Sequence, residues 1–193
     1  MSTTPDNSKA YVWQDGDAFR APAGTALPAD PWMAPPLTSG VSPNEVPWDA
    51  FGGIQAGFNL EPNQEIKKHT IFNKRDSTYA LSRGPREDTT KFRAVDYSKA
   101  AVLTTLLGGQ IVQVGATDVY KWIGGQAEEF ALIWTLADPS NASTDRVGFY
   151  TEKATLSSPP PRAFTGEELD GWELEILALS PLIPISNWNP LGP

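Results

Sequence analysis

The amino-acid sequence predicts an all-β domain with one short flanking helix. Three observations carry that expectation. From about residue 52 to residue 179 apolar and polar side chains alternate with period two, as half-buried strands require. Gly84-Pro85, Gly108-Gly109, Gly124-Gly125 and the Pro-rich stretch 157–162 break the alternation at short intervals. Only one segment, 98–108, has helical spacing.

The first 50 residues are expected to form an extended arm. Eight of the 18 prolines fall there, at Pro5, Pro22, Pro28, Pro31, Pro35, Pro36, Pro43 and Pro47. Each fixes φ and removes a backbone donor, which disfavours regular helix or central strand. The same stretch carries Tyr11, Trp13, Phe19, Trp32, Met33 and Trp48. A solvated linker has no use for such large apolar groups, so the arm is expected to lie on a surface, either of its own domain or of another.

Residues 51–180 form the expected β domain, and 181–193 a Pro-rich tail. Strands are expected at 66–73, 77–83, 89–95, 110–114, 118–123, 128–136, 147–156 and 172–179. In the sixth, Phe130, Leu132, Trp134 and Leu136 share a face, and Asp138-Pro139-Ser140-Asn141 supplies turn chemistry after it. In the last, Trp172, Leu174 and Ile176 alternate with Glu173 and Glu175. Between the third and fourth, Ser98 suits a helix N-cap, Val102, Leu103, Leu106 and Leu107 repeat at helical spacing, and Gly108 suits the C′ position. A helix of about nine residues does not stand alone in water and must pack on the sheet. The repeated Gly-Gly-Gln at 108–110 and 124–126 is read as two unrelated turns, since the flanks do not match.

Composition narrows the function. The formal net charge of -8 and pI of about 4.6 oppose stable nucleic-acid binding, which relies on clustered Lys and Arg. No cysteine is present, which removes disulfides, thiol nucleophiles and thiolate metal sites. The N-terminal residues lack the apolar core of a secretory signal, and no apolar run approaches the ~18 residues of a membrane span. A soluble protein that does not engage membranes is the expectation.

Chemistry-bearing motifs are sparse. His69 is the single histidine and is expected on a strand surface rather than in a triad. Neither a Gly-x-Ser-x-Gly elbow nor a phosphate-binding glycine loop with its lysine occurs. Gly166-Glu-Glu-Leu-Asp-Gly171 groups three carboxylates without the alternating spacing of a calcium loop. Asn141-Ala-Ser143 matches a glycosylation sequon, to which no role is assigned without a secretory signal. No catalysis, metal or cofactor is expected.

Charge is segregated along the chain. Bases outnumber acids between Lys67 and Lys99, whereas ten acids face three bases between Gly124 and Ser180. Two solvated faces explain this, and so does docking of the basic middle of one copy on the acidic part of another.

The chain resembles the major tail proteins, or tail tube subunits, of long-tailed bacteriophages (siphoviruses), especially those of actinobacterial hosts. The likeness begins with Ala21-Pro-Ala-Gly-Thr-Ala-Leu-Pro28 and the Trp48-Asp-Ala-Phe-Gly-Gly53 turn. It continues through the strand pair 66–83 and through Thr90-Lys-Phe-Arg-Ala-Val-Asp-Tyr-Ser-Lys-Ala-Ala-Val-Leu103, and ends with the strands 128–136 and 172–179. The tryptophan that often sits near Ile71-Phe72 in that family is missing.

The resemblance implies a non-enzymatic virion protein built as a β-sandwich with a flanking helix. Six copies would form a ring, and rings would stack into a tube around a tape measure protein, between tail terminator and tail tip proteins. Double-stranded DNA would pass through it without stable binding. The subunit would assemble in the host cytoplasm and reside in the virion tail. Glu128, Glu129, Glu173 and Glu175 are the candidates for an acidic lumen, and Tyr11, Trp13, Trp32 and Trp48 for inter-subunit contacts of the arm. A capsid decoration or head-completion protein, or a carbohydrate-binding β-sandwich module, are the alternative readings.

Overall fold

The computed structural model describes residues 10–191 apart from 74–76, 140–143, 163, 165 and 168. The sequon at 141–143 and Glu168 of the acidic loop therefore lie outside the described residues. Among those described, the strands are β1 (Asp15–Pro22), β2 (Leu37–Ser39), β3 (Val46–Ala50), β4 (Ile54–His69), β5 (Ala80–Ala94), β6 (Gln110–Gln113), β7 (Tyr120–Ile123), β8 (Phe130–Ala137), β9 (Arg146–Leu156), β10 (Trp172–Ala178) and β11 (Ile183–Ser186). The helix α1 (Lys99–Leu106) lies between β5 and β6. The protein is mostly β, as the alternation predicts.

Nine strands join in one sheet, in the order β2-β3-β1-β8-β9-β10-β5-β4, with β11 also paired to β9. The β6–β7 hairpin stands apart. Each described pairing is antiparallel.

The division at residue 50 does not hold. β1 lies between β3 and β8, in register with β8 from Asp15 opposite Ala137 to Pro22 opposite Phe130. Its one proline comes last, where a missing N–H interrupts nothing further. Of the other described prolines, Pro28, Pro31, Pro35, Pro36 and Pro43 fall in the segments flanking β2 and Pro47 in β3 itself, so 15–50 belongs to the domain. The tail likewise contributes β11, paired with β9 through Ile183 opposite Tyr150.

β8 is buried on both faces over Phe130–Trp134, which explains the unbroken apolar run there. Phe130, Leu132 and Trp134 enter one core with Phe51, Phe92, Leu156, Trp172, Leu174 and Ile176. Ala131 and Ile133 enter a second, with Phe19, Leu37, Trp48 and Tyr150. Each fully buried large side chain contributes about 1.5–3 kcal/mol, so this strand anchors both clusters.

The sequence reading cuts β5 at Gly84-Pro85, but the strand runs through them. They sit opposite a register shift in β4, between the pairs Gln64–Arg86 and Ile66–Arg83. β5 joins β10 only over 89–94, so along 80–88 it has a partner on one side alone. A residue without an N–H is tolerated on such an open edge. The strand expected at 66–73 instead spans Ile54–His69.

Ser98 caps α1 as expected, its hydroxyl accepting from the Ala101 N–H at 3.2 Å. The helix ends on Leu107 and Gly108, both with positive φ, at 50° and 77°. Its buried residues are Ala100, Ala101, Thr104 and Leu106; of the stripe read from leucine and valine spacing, Leu106 is buried and Val102 and Leu107 pack partly buried against the core. The small alanines let the backbone approach the core, and Thr104 is held by hydrogen bonds rather than by apolar contact.

Candidate assembly interface

Two β ribbons extend beyond the core. The first is the outer part of the β4–β5 hairpin, where 61–69 and, apart from Gly84, 80–87 are exposed. Its long strands follow from cross-strand pairing that continues after β10 has ended. Ile66, Tyr79, Leu81 and, near the tip, Phe72 are all more than half exposed. The segment 66–83 carries Lys67, Lys68, Lys74, Arg75 and Arg83 against Asp76, a net of +4 on a chain that totals -8, so the remainder carries -12. His69 lies on this arm, with Nε2 2.8 Å from the Ser82 hydroxyl. A carboxylate partner for a triad is not among its described contacts.

The second ribbon is β6–β7, with Ile111, Val112, Tyr120, Trp122 and Ile123 all exposed. Its base is fastened to the end of α1. The Leu106 carbonyl accepts from the Gly109 N–H at 2.9 Å and from the Gly125 N–H at 2.7 Å. The two Gly-Gly pairs are therefore the two ends of one hairpin rather than unrelated turns.

A buried cation ties this junction to the sheet. Arg20 of β1 is 4% exposed; its Nη1 donates to Thr104 Oγ1 at 2.9 Å, its Nη2 lies 2.5 Å from Glu128 Oε1, and its guanidinium stacks over Phe130. Glu128 Oε2 accepts from the Gly108 N–H at 3.1 Å. Sequence reasoning passed over Arg20, whose acid partner Glu128 lies more than a hundred residues along the chain.

The four acidic candidates divide. Glu173 and Glu175 share the outward face of β10, opposite Arg93 and Lys91 of β5 in register. Lys91 Nζ is 3.0 Å from Glu61 Oε2 and 3.8 Å from Glu175 Oε2. The hydrogen bond from Lys91 to Glu61 raises its pKa above the ordinary lysine value, desolvation opposes this, and Glu175 adds to the rise. Glu128 turns inward to Arg20, and Glu129 lies 3.5 Å from Lys153 Nζ on the surface. Glu128, Glu129 and Glu175 thus each pair with a cation of their own chain.

The aromatic candidates make contacts within their own chain. Trp48 is buried, donating from Nε1 to Ser39 Oγ at 2.7 Å and meeting Tyr150 edge-on. The Trp32 carbonyl accepts from Arg146 Nη1 at 2.7 Å. Tyr11 donates to Asp145 Oδ2 at 2.6 Å and stacks on Trp13 with ring centroids 5.0 Å apart. Trp188 of the tail joins both rings.

A loop between β9 and β10 is pinned across Trp172. Arg162 pairs bidentately with Asp170, Nε to Oδ1 at 2.9 Å, and its guanidinium lies 4.8 Å from the Trp172 ring centroid. The Tyr97 hydroxyl also donates to Asp170. The Arg162 hydrogen bond holds the Asp170 carboxyl below the ordinary aspartate pKa. Among the described residues no cluster of His, Cys, Asp and Glu could hold a metal ion, and no helix is long and apolar enough to cross a membrane.

No known protein-family model matches this chain, and no curated protein matches it significantly.

Proposed function

We propose that this chain is a structural subunit that polymerises with copies of itself, and more specifically that it is the major tail tube subunit of a long-tailed bacteriophage. In this reading hexameric rings stack into the conduit that carries double-stranded DNA from capsid to host. The tape measure, tail terminator and tail tip proteins are its partners, the host cytoplasm is where it assembles, and the virion tail is where it resides.

The observation that carries the reading is the outer β4–β5 arm. A two-stranded ribbon bare on both faces is marginal in water, and an open strand edge invites pairing with another chain. Here the ribbon combines exposed Ile66, Tyr79 and Leu81 with a net of +2 over residues 61–87, on a chain whose remainder carries -10. A second copy supplies a complementary anionic surface, and repetition of such contacts along a polymer multiplies a modest affinity.

The charge pairs on β5 and β10 fit transport of DNA. Phosphate contacts gain their free energy from cations that displace condensed counterions. A lysine already engaged by Glu61 and Glu175 offers little of that gain, so DNA slides past Lys91 instead of being held. Glu173 and Glu175 are the lumen residues in this reading.

Negative-stain microscopy of the concentrated protein tests the proposal. Rings and tubes are expected from the full chain. Replacing residues 65–85 by Asn-Gly, with the far-ultraviolet circular dichroism of the body retained, should abolish them. A protein that stays monomeric at every concentration overturns the assembly reading, as does a shortened variant that assembles normally. Closed particles that never form filaments would overturn the tube.

A further inference from the structure

A cleft of about 360 Å³ opens beside the N-terminal aromatic cluster, lined by Trp13, Gln14, Asp15, Ile54, Phe58 and Leu136. That volume is at the small-molecule end of ligand sites. We propose that it binds a saccharide ring, stacked on the indole of Trp13 and hydrogen-bonded by Gln14 and Asp15.

The ring distances locate the neighbours of Trp13. Its centroid is 5.0 Å from Tyr11 and 6.5 Å from Trp188, while Tyr11 and Trp188 are 5.7 Å from each other. Rings on opposite faces of Trp13 would be about twice as far apart. Both neighbours therefore lie to one side of the indole, and Trp13 also lines the cleft. The Tyr11 hydroxyl bond to Asp145 and the Val12 N–H bond to Asp138 Oδ2, at 3.0 Å, fix this platform before any ligand arrives.

The polar lining suits hydroxyl groups. The side chains of Gln14 and Asp15 make no hydrogen bond within the described residues, and both are exposed. An amide and a carboxylate offer two donors and several acceptors to vicinal hydroxyls, while the C–H face of a pyranose covers the indole. The Phe58 ring is already stacked on Trp134 at 4.8 Å, so it forms a rigid apolar wall. A single indole beside hydrogen-bonding groups favours a neutral polyol over a quaternary cation, for which several rings enclose the charge.

The full chain titrated with glucose, galactose, mannose, arabinose and N-acetylglucosamine, followed by tryptophan fluorescence and saturation-transfer NMR, provides the test. Saturable binding of at least one sugar is expected. It should weaken by about tenfold or more in Trp13→Ala and in Asp15→Ala, and be unchanged in Trp122→Ala on the remote hairpin. Asp15→Ala is an exposed substitution, so it keeps the test decisive if Trp13→Ala unfolds. Absence of binding to all five sugars overturns the proposal, as does binding indifferent to both substitutions, or saturation by tetramethylammonium in place of sugar. These outcomes are independent of whether tubes form.

Discussion

Gly109 and Gly125 meet backbone to backbone at the base of the β6–β7 hairpin. A Cβ on Gly109 would lie 2.7 Å from the Gly125 nitrogen, and one on Gly125 would lie 2.8 Å from the Gly109 nitrogen. Each would also press on a carbonyl oxygen, of Ile123 and of Leu107 respectively. Backbone atoms cannot swing aside as a side-chain end can.

Gly109→Ala or Gly125→Ala should therefore destabilise the protein by about 1–3 kcal/mol, the usual range for overpacking. Gly124 is the internal control, since nothing lies within 4 Å of a Cβ placed there. Gly124→Ala should stay within about 0.5 kcal/mol of the parent. Chemical denaturation of the three variants measures the contrast, and equal effects at 124 and 125 would refute the packing argument.

Two adjacent glutamates should behave differently. Glu128 neutralises a guanidinium that is almost wholly buried, whereas Glu129 and Lys153 are each about half exposed in their side chains, at 52%. Leaving a buried charge unpaired costs about 3–5 kcal/mol, and the partial exposure of Glu128 places Glu128→Ala toward the lower end. Glu129→Ala removes a surface pair worth about 0–1 kcal/mol. At about 2–4 °C per kcal/mol for a chain of this size, thermal melts should separate the two variants by several degrees. Coincident melts would mean that Arg20 finds another partner.

The Arg162–Asp170 pair makes the loop over Trp172 sensitive to acid. Asp170 has a folded pKa depressed below the unfolded value of about 3.9. Its contribution is therefore complete above pH ~4 and fades as pH falls through the folded value. Fluorescence of Trp172 should change on acidification below that point. In Asp170→Asn this acid step should vanish, and an unaltered profile in that variant would assign the change to other groups.

The amount of this structure legible in the sequence varies with how local the cause is. The Ser98 cap, the helix end at Gly108 and the alternation of Trp172, Leu174 and Ile176 depend on neighbours a few residues away, and they were read directly. β1 was read as an arm because proline density hides a strand whose pairing with β8 spans more than a hundred residues. The break assigned at Gly84-Pro85 assumed partners on both sides, and the open edge of the arm removes that requirement. The Arg20 to Glu128 pair and the meeting of Gly109 with Gly125 exist only once the chain has folded. For Glu173 and Glu175 the shared face was legible, but the cations opposite them on β5 were not.

The contact of Tyr11 and Trp13 with Trp188 joins residues from the two extremities of the described chain at one corner. Cargo domains fused ahead of residue 10 and behind residue 191 would emerge side by side, and a short linker could join those positions. A circular permutant closed there and reopened between β4 and β5 would keep every strand pairing of the sheet, because an exposed hairpin turn is a site at which chain breaks are tolerated.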